Sequence, residues 1–201
     1  MSTTHTPAPA TADDAGPISR SLARAFQDDP MMGWFFPEAS SREASLVTYF
    51  TVLFTGQYLH NGVCERTGGA AAFWVPPEQA RAVPDEETVG TLLGLLGDRA
   101  GAFRAAVETA AAHAPREPHW SLALIGADPA VRGLGQGGAL LRSGLAKADA
   151  TGHPVYLESS QESNIPVYEH FGFAVREEVP LPGGGPVLWS MWREPRPRAD
   201  R

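Results

Sequence analysis

Residues 132–138 read Arg132-Gly133-Leu134-Gly135-Gln136-Gly137-Gly138. Upstream, Trp120 to Ile125 alternates as a strand, and Asp128-Pro129 marks a turn. Downstream, Ala139 to Ala150 reads as a helix that Gly152 stops. Glycines between a strand and a helix let the backbone turn tightly and expose N–H groups at a helix N-terminus. That arrangement holds phosphate or pyrophosphate. A plain connection would need far fewer glycines.

Three ligand classes compete for this loop. A phosphate loop of the Walker type needs Gly-Lys-Ser/Thr at its end, whereas this one ends Gly137-Gly138-Ala139. The dinucleotide fingerprint G-x-G-x-x-G matches Gly133, Gly135 and Gly138, with Glu158 where a ribose-binding acid would stand. Against it, Ala127 to Arg132 intervene between strand and first glycine. Too little chain also follows Glu158 to complete a doubly wound sheet. The third class is an acyl-CoA pyrophosphate loop, implied by the resemblance of Arg132-x-x-Gly135-x-Gly137 to the R/Q-x-x-G-x-G/A signature of acetyl-CoA-using N-acetyltransferases.

The rest of the chain alternates helices and strands without internal repeats, an α/β or α+β class. Residues 1–12 read as a flexible tail, 13–195 as a single domain and 196–201 as a second tail. Ile18, Leu22, Ala25 and Phe26 recur at helical spacing. A second helix runs from Ser41 to about Leu59. Val63–Arg66 and Ala70–Val75 form a hairpin across Gly68-Gly69. Glu86 to about Ala114 is helical, with a break near Gly97 to Gly101. Pro154–Glu158 is a strand and Asn164–Phe171 a short helix. Ala174–Val179 and Val187–Trp192 pair around a proline–glycine turn. Pro7 and Pro9 argue against a strand near the N-terminus.

Composition narrows the function. Sixteen Lys plus Arg stand against 23 Asp plus Glu, a net charge of −7. That balance argues against broad nucleic-acid binding and suits a cationic or amine partner. The single cysteine, Cys64, excludes an internal disulfide framework. The histidines lack ligand spacing, so no metal is expected. The N-terminus has no basic start or apolar run, and no segment is apolar enough to span a bilayer. The expected location is cytoplasmic, without a membrane partner. Lys147 is the sole lysine among many arginines, a coding bias of GC-rich bacteria.

The ordered set of strand, glycine loop, helix, Glu158 strand, Asn164, Tyr168 and Gly172-Phe173 resembles the Gcn5-related N-acetyltransferase (GNAT) superfamily. Pro115 to Trp120, Gly126 to Pro129, Tyr156 to Ser160 and Asn164 to Glu169 resemble puromycin N-acetyltransferase and its actinobacterial relatives more closely. The resemblance implies a central mixed, mostly antiparallel sheet flanked by helices and splayed between the fourth and fifth strands. A bulge near Gly126 would open the splay. It also implies acetyl-CoA as acyl donor and direct attack by a small primary amine, antibiotics among the candidates for a resistance enzyme.

On that resemblance Ile125, Gly126 and Ala127 would meet the pantetheine arm. Backbone groups of Gly133, Leu134, Gly135, Gln136, Gly137 and Gly138 would hold the pyrophosphate, with Arg132 adding charge. Asn164 would bond the pantetheine or a water, or simply cap its own helix. Tyr168 is the candidate general acid, since a free phenol keeps its proton at neutral pH. Glu158 is the candidate base, with Asp28, Asp29 and Glu65 as alternatives. Asp28, Asp29 and Trp34 are candidates for meeting the acceptor. The chain would act as monomer or homodimer. The alternatives are a catalytically silent acyl-CoA sensor and a nicotinamide-binding protein.

Overall fold

A computed structural model of the chain describes residues 5–80 and 82–196. Seven strands form one sheet: β1 (Ala8–Pro9), β2 (Val63–Thr67), β3 (Ala70–Val75), β4 (Trp120–Ala127), β5 (Val155–Ser159), β6 (Ala174–Pro180) and β7 (Val187–Arg193). Their order is β1-β2-β3-β4-β5-β7-β6. Every neighbouring pair is antiparallel except β4–β5. This is the mixed, mostly antiparallel sheet of the GNAT fold, not the parallel sheet a dinucleotide fold requires.

The helices follow their caps and apolar faces. α1 (Ala15–Ala25) buries Ile18, Leu22 and Ala23. α2 (Pro30–Phe35) starts at an Asp29 cap with Pro30 in its first turn. α3 (Ala39–Leu53) continues through a π turn, Phe54–Tyr58, into the short α4 (Leu59–Asn61). α5 (Glu86–Leu96) and α6 (Ala100–His113) are divided at Gly97, as expected from the glycines. α7 (Gln136–Thr151) ends at Gly152 in the left-handed region, and α8 (Ile165–His170) precedes β6.

Strand alternation sends side chains to two cores. Ala71 and Phe73 of β3 join Leu22, Leu46, Phe50 and Phe54 under α1 and α3. Ala72 and Trp74 face the other way, with Leu140, Leu157 and Met191 around α7. Fully burying a side chain such as Phe73 contributes about 1.5–3 kcal/mol.

Three local expectations change. Ala8 and Pro9, read as flexible tail, pair with Arg66 and Glu65, and the Ala10 N–H reaches the Cys64 carbonyl at 2.9 Å. Pro9 is tolerated because this is an edge strand, which needs donors on one side only. Residues 1–4 and 197–201 of the expected tails lie outside the described residues. Arg196, also expected in a tail, donates its N–H to Asp149 at 2.8 Å. The glycine loop is shorter than read: α7 already begins at Gln136, so Gly137 and Gly138 stand in its first turn.

The third change concerns the splay. Trp120, Ser121 and Leu122 pair with Val155, Tyr156 and Leu157, and pairing stops there. The bulge that accompanies the opening lies at Ala123, where β3 register jumps from Phe73–Leu124 to Trp74–Leu122. It is not at Gly126, which stays in register opposite Ala71. A Cβ at Gly126 would stand 2.8 Å from Leu22 Cδ2 and 2.9 Å from Phe26 Cε2. Gly126 is therefore needed for the close approach of α1 to β4.

Candidate active site

Beyond Leu122, β4 keeps its β3 partner through Ala127 but has no strand on the β5 side. Ile125, Gly126 and Ala127 form that open edge. A peptide-like arm laid in the gap would meet backbone groups that the sheet leaves free.

The next segment is held rigidly. Asp128 caps the turn Pro129–Val131 by accepting from the Ala130 N–H at 2.9 Å, and Arg24 of α1 pairs with it at 2.6 Å. Gly133 and Gly135 then adopt φ of +78° and +80°. Gly135 is the N-cap of α7, a conformation that costs any L-residue. The first-turn N–H groups of Gln136, Gly137 and Gly138 have no helical acceptor, as at any helix start. Leu134 directs its own N–H to Val131 O at 3.4 Å, so it is partly used within the turn. The Gln136 side chain is buried, and its Oε1 accepts from the Gly69 N–H at 3.0 Å. Gln136 thereby bolts α7 to the β2–β3 turn.

Arg132 and Asp28 both line an open cavity of about 420 Å³, which Ala25, Pro30, Ser160 to Ser163 and Trp189 complete. Asp28 thus faces the cavity. Asp29 does not: it is 4% exposed. Its Oδ1 accepts from the Met31 and Met32 N–H groups at 2.9 and 3.1 Å, and its Oδ2 from the Ser160 hydroxyl. Burial pushes the Asp29 carboxyl above the usual range, against these three hydrogen bonds. Trp34 is also turned away, lying on Phe35 at 5.1 Å and against the Gly185 end of the β6–β7 turn.

Asn164 is exposed at the start of α8 and makes no capping bond there, leaving its amide free. Tyr168 packs edge-on to Phe173 at 6.0 Å. Burial, with the charge of Asp29 added, pushes its phenol up to about 12. Glu158 sits on the other face of β5 beside Tyr156, whose hydroxyl donates to Glu158 Oε1 at 2.8 Å. Burial raises the Glu158 carboxyl, opposed by that bond and by His113. Across the sheet Glu158 is opposite Ser190, and Ser190 opposite Glu177, whose carboxylate lies 3.9 Å from His113 Nε2. The alternative base Glu65 lies elsewhere, as does Cys64, which is buried. Glu65 is paired to Lys147 at 2.7 Å, and burial raises the Cys64 thiol to about 12.

Sequence reasoning missed Ser160, Gln161 and Trp189. The polar run Ser159 to Ser163 directly after a core strand was the available signal. Trp189 reaches the cavity only through its register opposite Ser159. Among the described residues no three His, Cys, Asp or Glu side chains gather as metal ligands would, and no helix is long and apolar enough to cross a membrane.

Comparison with known proteins agrees with this geometry. The family model described as "Acetyltransferase (GNAT) family" matches residues 38–173. A Corynebacterium glutamicum structure, described as histone acetyltransferase HPA2 and related acetyltransferase, superposes with a TM-score of 0.73 at 25% identity. The match covers 98% of this chain and 100% of that one. Arylalkylamine N-acetyltransferase 2 from Aedes aegypti shares the fold, with a TM-score of 0.61 at 12% identity over 96% of this chain and all of that one. An uncharacterized N-acetyltransferase of Schizosaccharomyces pombe, C550.08, is 37% identical over 67 residues, 33% of this chain. The matched stretch spans only 27% of that relative's length. The family is one of acetyl-CoA-using acyltransferases, and this chain belongs to the GNAT acetyltransferase family.

Proposed function

We propose that the chain is an acetyl-CoA-dependent N-acetyltransferase that passes the acetyl group directly to a small primary amine, with puromycin-like antibiotics among the candidate acceptors. The observation that carries this reading is the end of β4–β5 pairing at Leu122–Leu157. It leaves a gap whose lips lead to Glu158 on one face and to the Tyr168 helix on the other, with the α7 N-terminus beyond it.

The first-turn N–H groups of α7, joined by Arg132, bind the pyrophosphate, and the open edge of β4 orients the pantetheine arm. The space is open at three of the cradle glycines, since a Cβ built at Gly133, Gly135 or Gly137 meets no atom within 4 Å, whereas one at Gly138 would stand 3.4 Å from Arg142 Nη1. Asn164 offers its free amide to the same arm.

Glu158 takes the proton of the incoming ammonium group. Its raised carboxyl makes it a stronger base than an ordinary glutamate. The neutral amine forms the C–N bond as the C–S bond breaks, and Tyr168 gives its proton to the departing sulfur; the proton still carried by the new amide nitrogen leaves to solvent, from which the tyrosinate is reprotonated. A phenol pushed up to about 12 is fully protonated at neutral pH, as an acid must be. Asp28, exposed to the cavity, attracts the cationic acceptor.

The test is thiol release from acetyl-CoA with a panel of puromycin, polyamines, aminoglycosides and amino acids. Turnover with at least one amine supports the reading. Acetyl-CoA binding without turnover for any amine would make the chain a silent acyl-CoA sensor.

A further inference from the structure

The buried carboxylate of Asp29 has no role in the chemistry above, yet it joins two segments far apart in sequence. Its neighbours Asp28 and Pro30 line one wall of the cavity, and Ser160 to Ser163 line the other. The bond from the Ser160 hydroxyl to Asp29 Oδ2 ties those walls together. The other oxygen fixes the start of α2 through Met31 and Met32. From Ser160 the chain runs through one short turn, Glu162–Asn164, directly into α8 and Tyr168.

We infer that Asp29 is a positioning residue for Tyr168, acting through Ser160 to fix the segment that carries the acid. The inference rests on the reading of Tyr168 as the acid. Two contributions separate. The latch sets where α8 stands relative to the gap. The negative charge of Asp29 disfavours tyrosinate and keeps the proton on Tyr168. Asp28, next in the chain, faces the cavity beside them. Tyr49 of α3 also feels the Asp29 charge. Arg132 and Glu162 stand on the cavity wall. Glu169 and His170 on α8 itself are exposed.

Two variants resolve the contributions. Asp29→Asn keeps a good N-cap through its amide oxygen and removes the charge, while its NH2 group turns the latch around and donates to the Ser160 hydroxyl. Ser160→Ala leaves α2 capped and cuts the latch. Each is assayed by thiol release across pH, with Tyr168→Phe alongside. Asp29→Asn is expected to bring the alkaline fall in kcat to lower pH, with the KM for acetyl-CoA unchanged. Ser160→Ala is expected to lower kcat by about 10- to 100-fold at every pH, the effect of a misplaced reacting group. If both profiles overlay the wild type while Tyr168→Phe is impaired, the inference is wrong. If Tyr168→Phe is itself unimpaired, the acid assignment fails instead.

Discussion

Replacing Gly135 by alanine separates the cradle from the scaffold that carries it. Gly135 has φ +80° and ψ 5°, and a Cβ there meets nothing within 4 Å. The cost in stability is therefore conformational only, about 1–2 kcal/mol for an L-residue held in the left-handed region. For a chain of this length that lowers Tm by roughly 2–8 °C. Relaxing φ to a negative value relieves the strain but swings the first-turn N–H groups of α7 off the phosphate. Losing one charge-assisted hydrogen bond raises the KM for acetyl-CoA on the order of 10- to 100-fold. Gly137→Ala is the matched control. Gly137 is helical without a positive φ, so alanine adds about 0.5–1 kcal/mol of stability and should leave donor binding intact. Thermal melts and donor-saturation curves on both variants are the assay. A destabilised Gly135→Ala with donor KM within about twofold of wild type would refute the cradle geometry, because that shift is under 0.5 kcal/mol.

Four further outcomes are expected. Glu158→Gln should lower kcat by about 10²–10⁴-fold and abolish the acid limb of the pH profile. In the wild type that limb lies above the ordinary glutamate range, since burial raises the carboxyl and activity is lost as pH falls through the raised value. Gln136→Ala leaves the Gly69 N–H without its acceptor and should cost about 1–3 kcal/mol in a denaturant melt. Gly126→Ala overpacks Leu22 and Phe26 and should cost about 1–3 kcal/mol. Asp149→Asn leaves one oxygen where two accept from Arg193, which is 3% exposed, and should cost about 1.5–3 kcal/mol, the worth of one hydrogen bond to a charged group. Burial pulls the Asp149 carboxyl up, but the Arg193 and Arg196 bonds outweigh it and hold it below the usual range. Its contribution is thus full above the unfolded carboxylate pKa and lost as pH falls through the lowered value, which acid titration of Tm would follow.

The glycine loop and the strands around it were legible because their signals are local. Period-two alternation marks β4, and only glycine tolerates what Gly133 and Gly135 do. The bulge was not legible. Ala123 sits in an ordinary apolar run, and it is set out of register by pairing with β3, a partner far away in sequence. The N-terminal strand was hidden by Pro7 and Pro9, whose usual meaning is cancelled at a sheet edge. Gln27 to Pro37 reads as a loop, and α2 overturns that; Asp29-Pro30 was the overlooked sign, since Asp before Pro starts a helix. What it could not show is the second oxygen reaching Ser160 across 131 positions. Trp34 and Trp189 illustrate the same limit. Trp34 stands in α2 and Trp189 in β7, and only the assembled sheet decides which one lines the cavity.

The central claim is direct transfer within one complex of enzyme, acetyl-CoA and amine. An initial-rate matrix with both substrates varied, joined to the intact mass of the protein after incubation with acetyl-CoA alone, tests it most directly. Direct transfer predicts intersecting double-reciprocal lines and an unmodified protein. Parallel lines together with a protein that gains one acetyl group would contradict it.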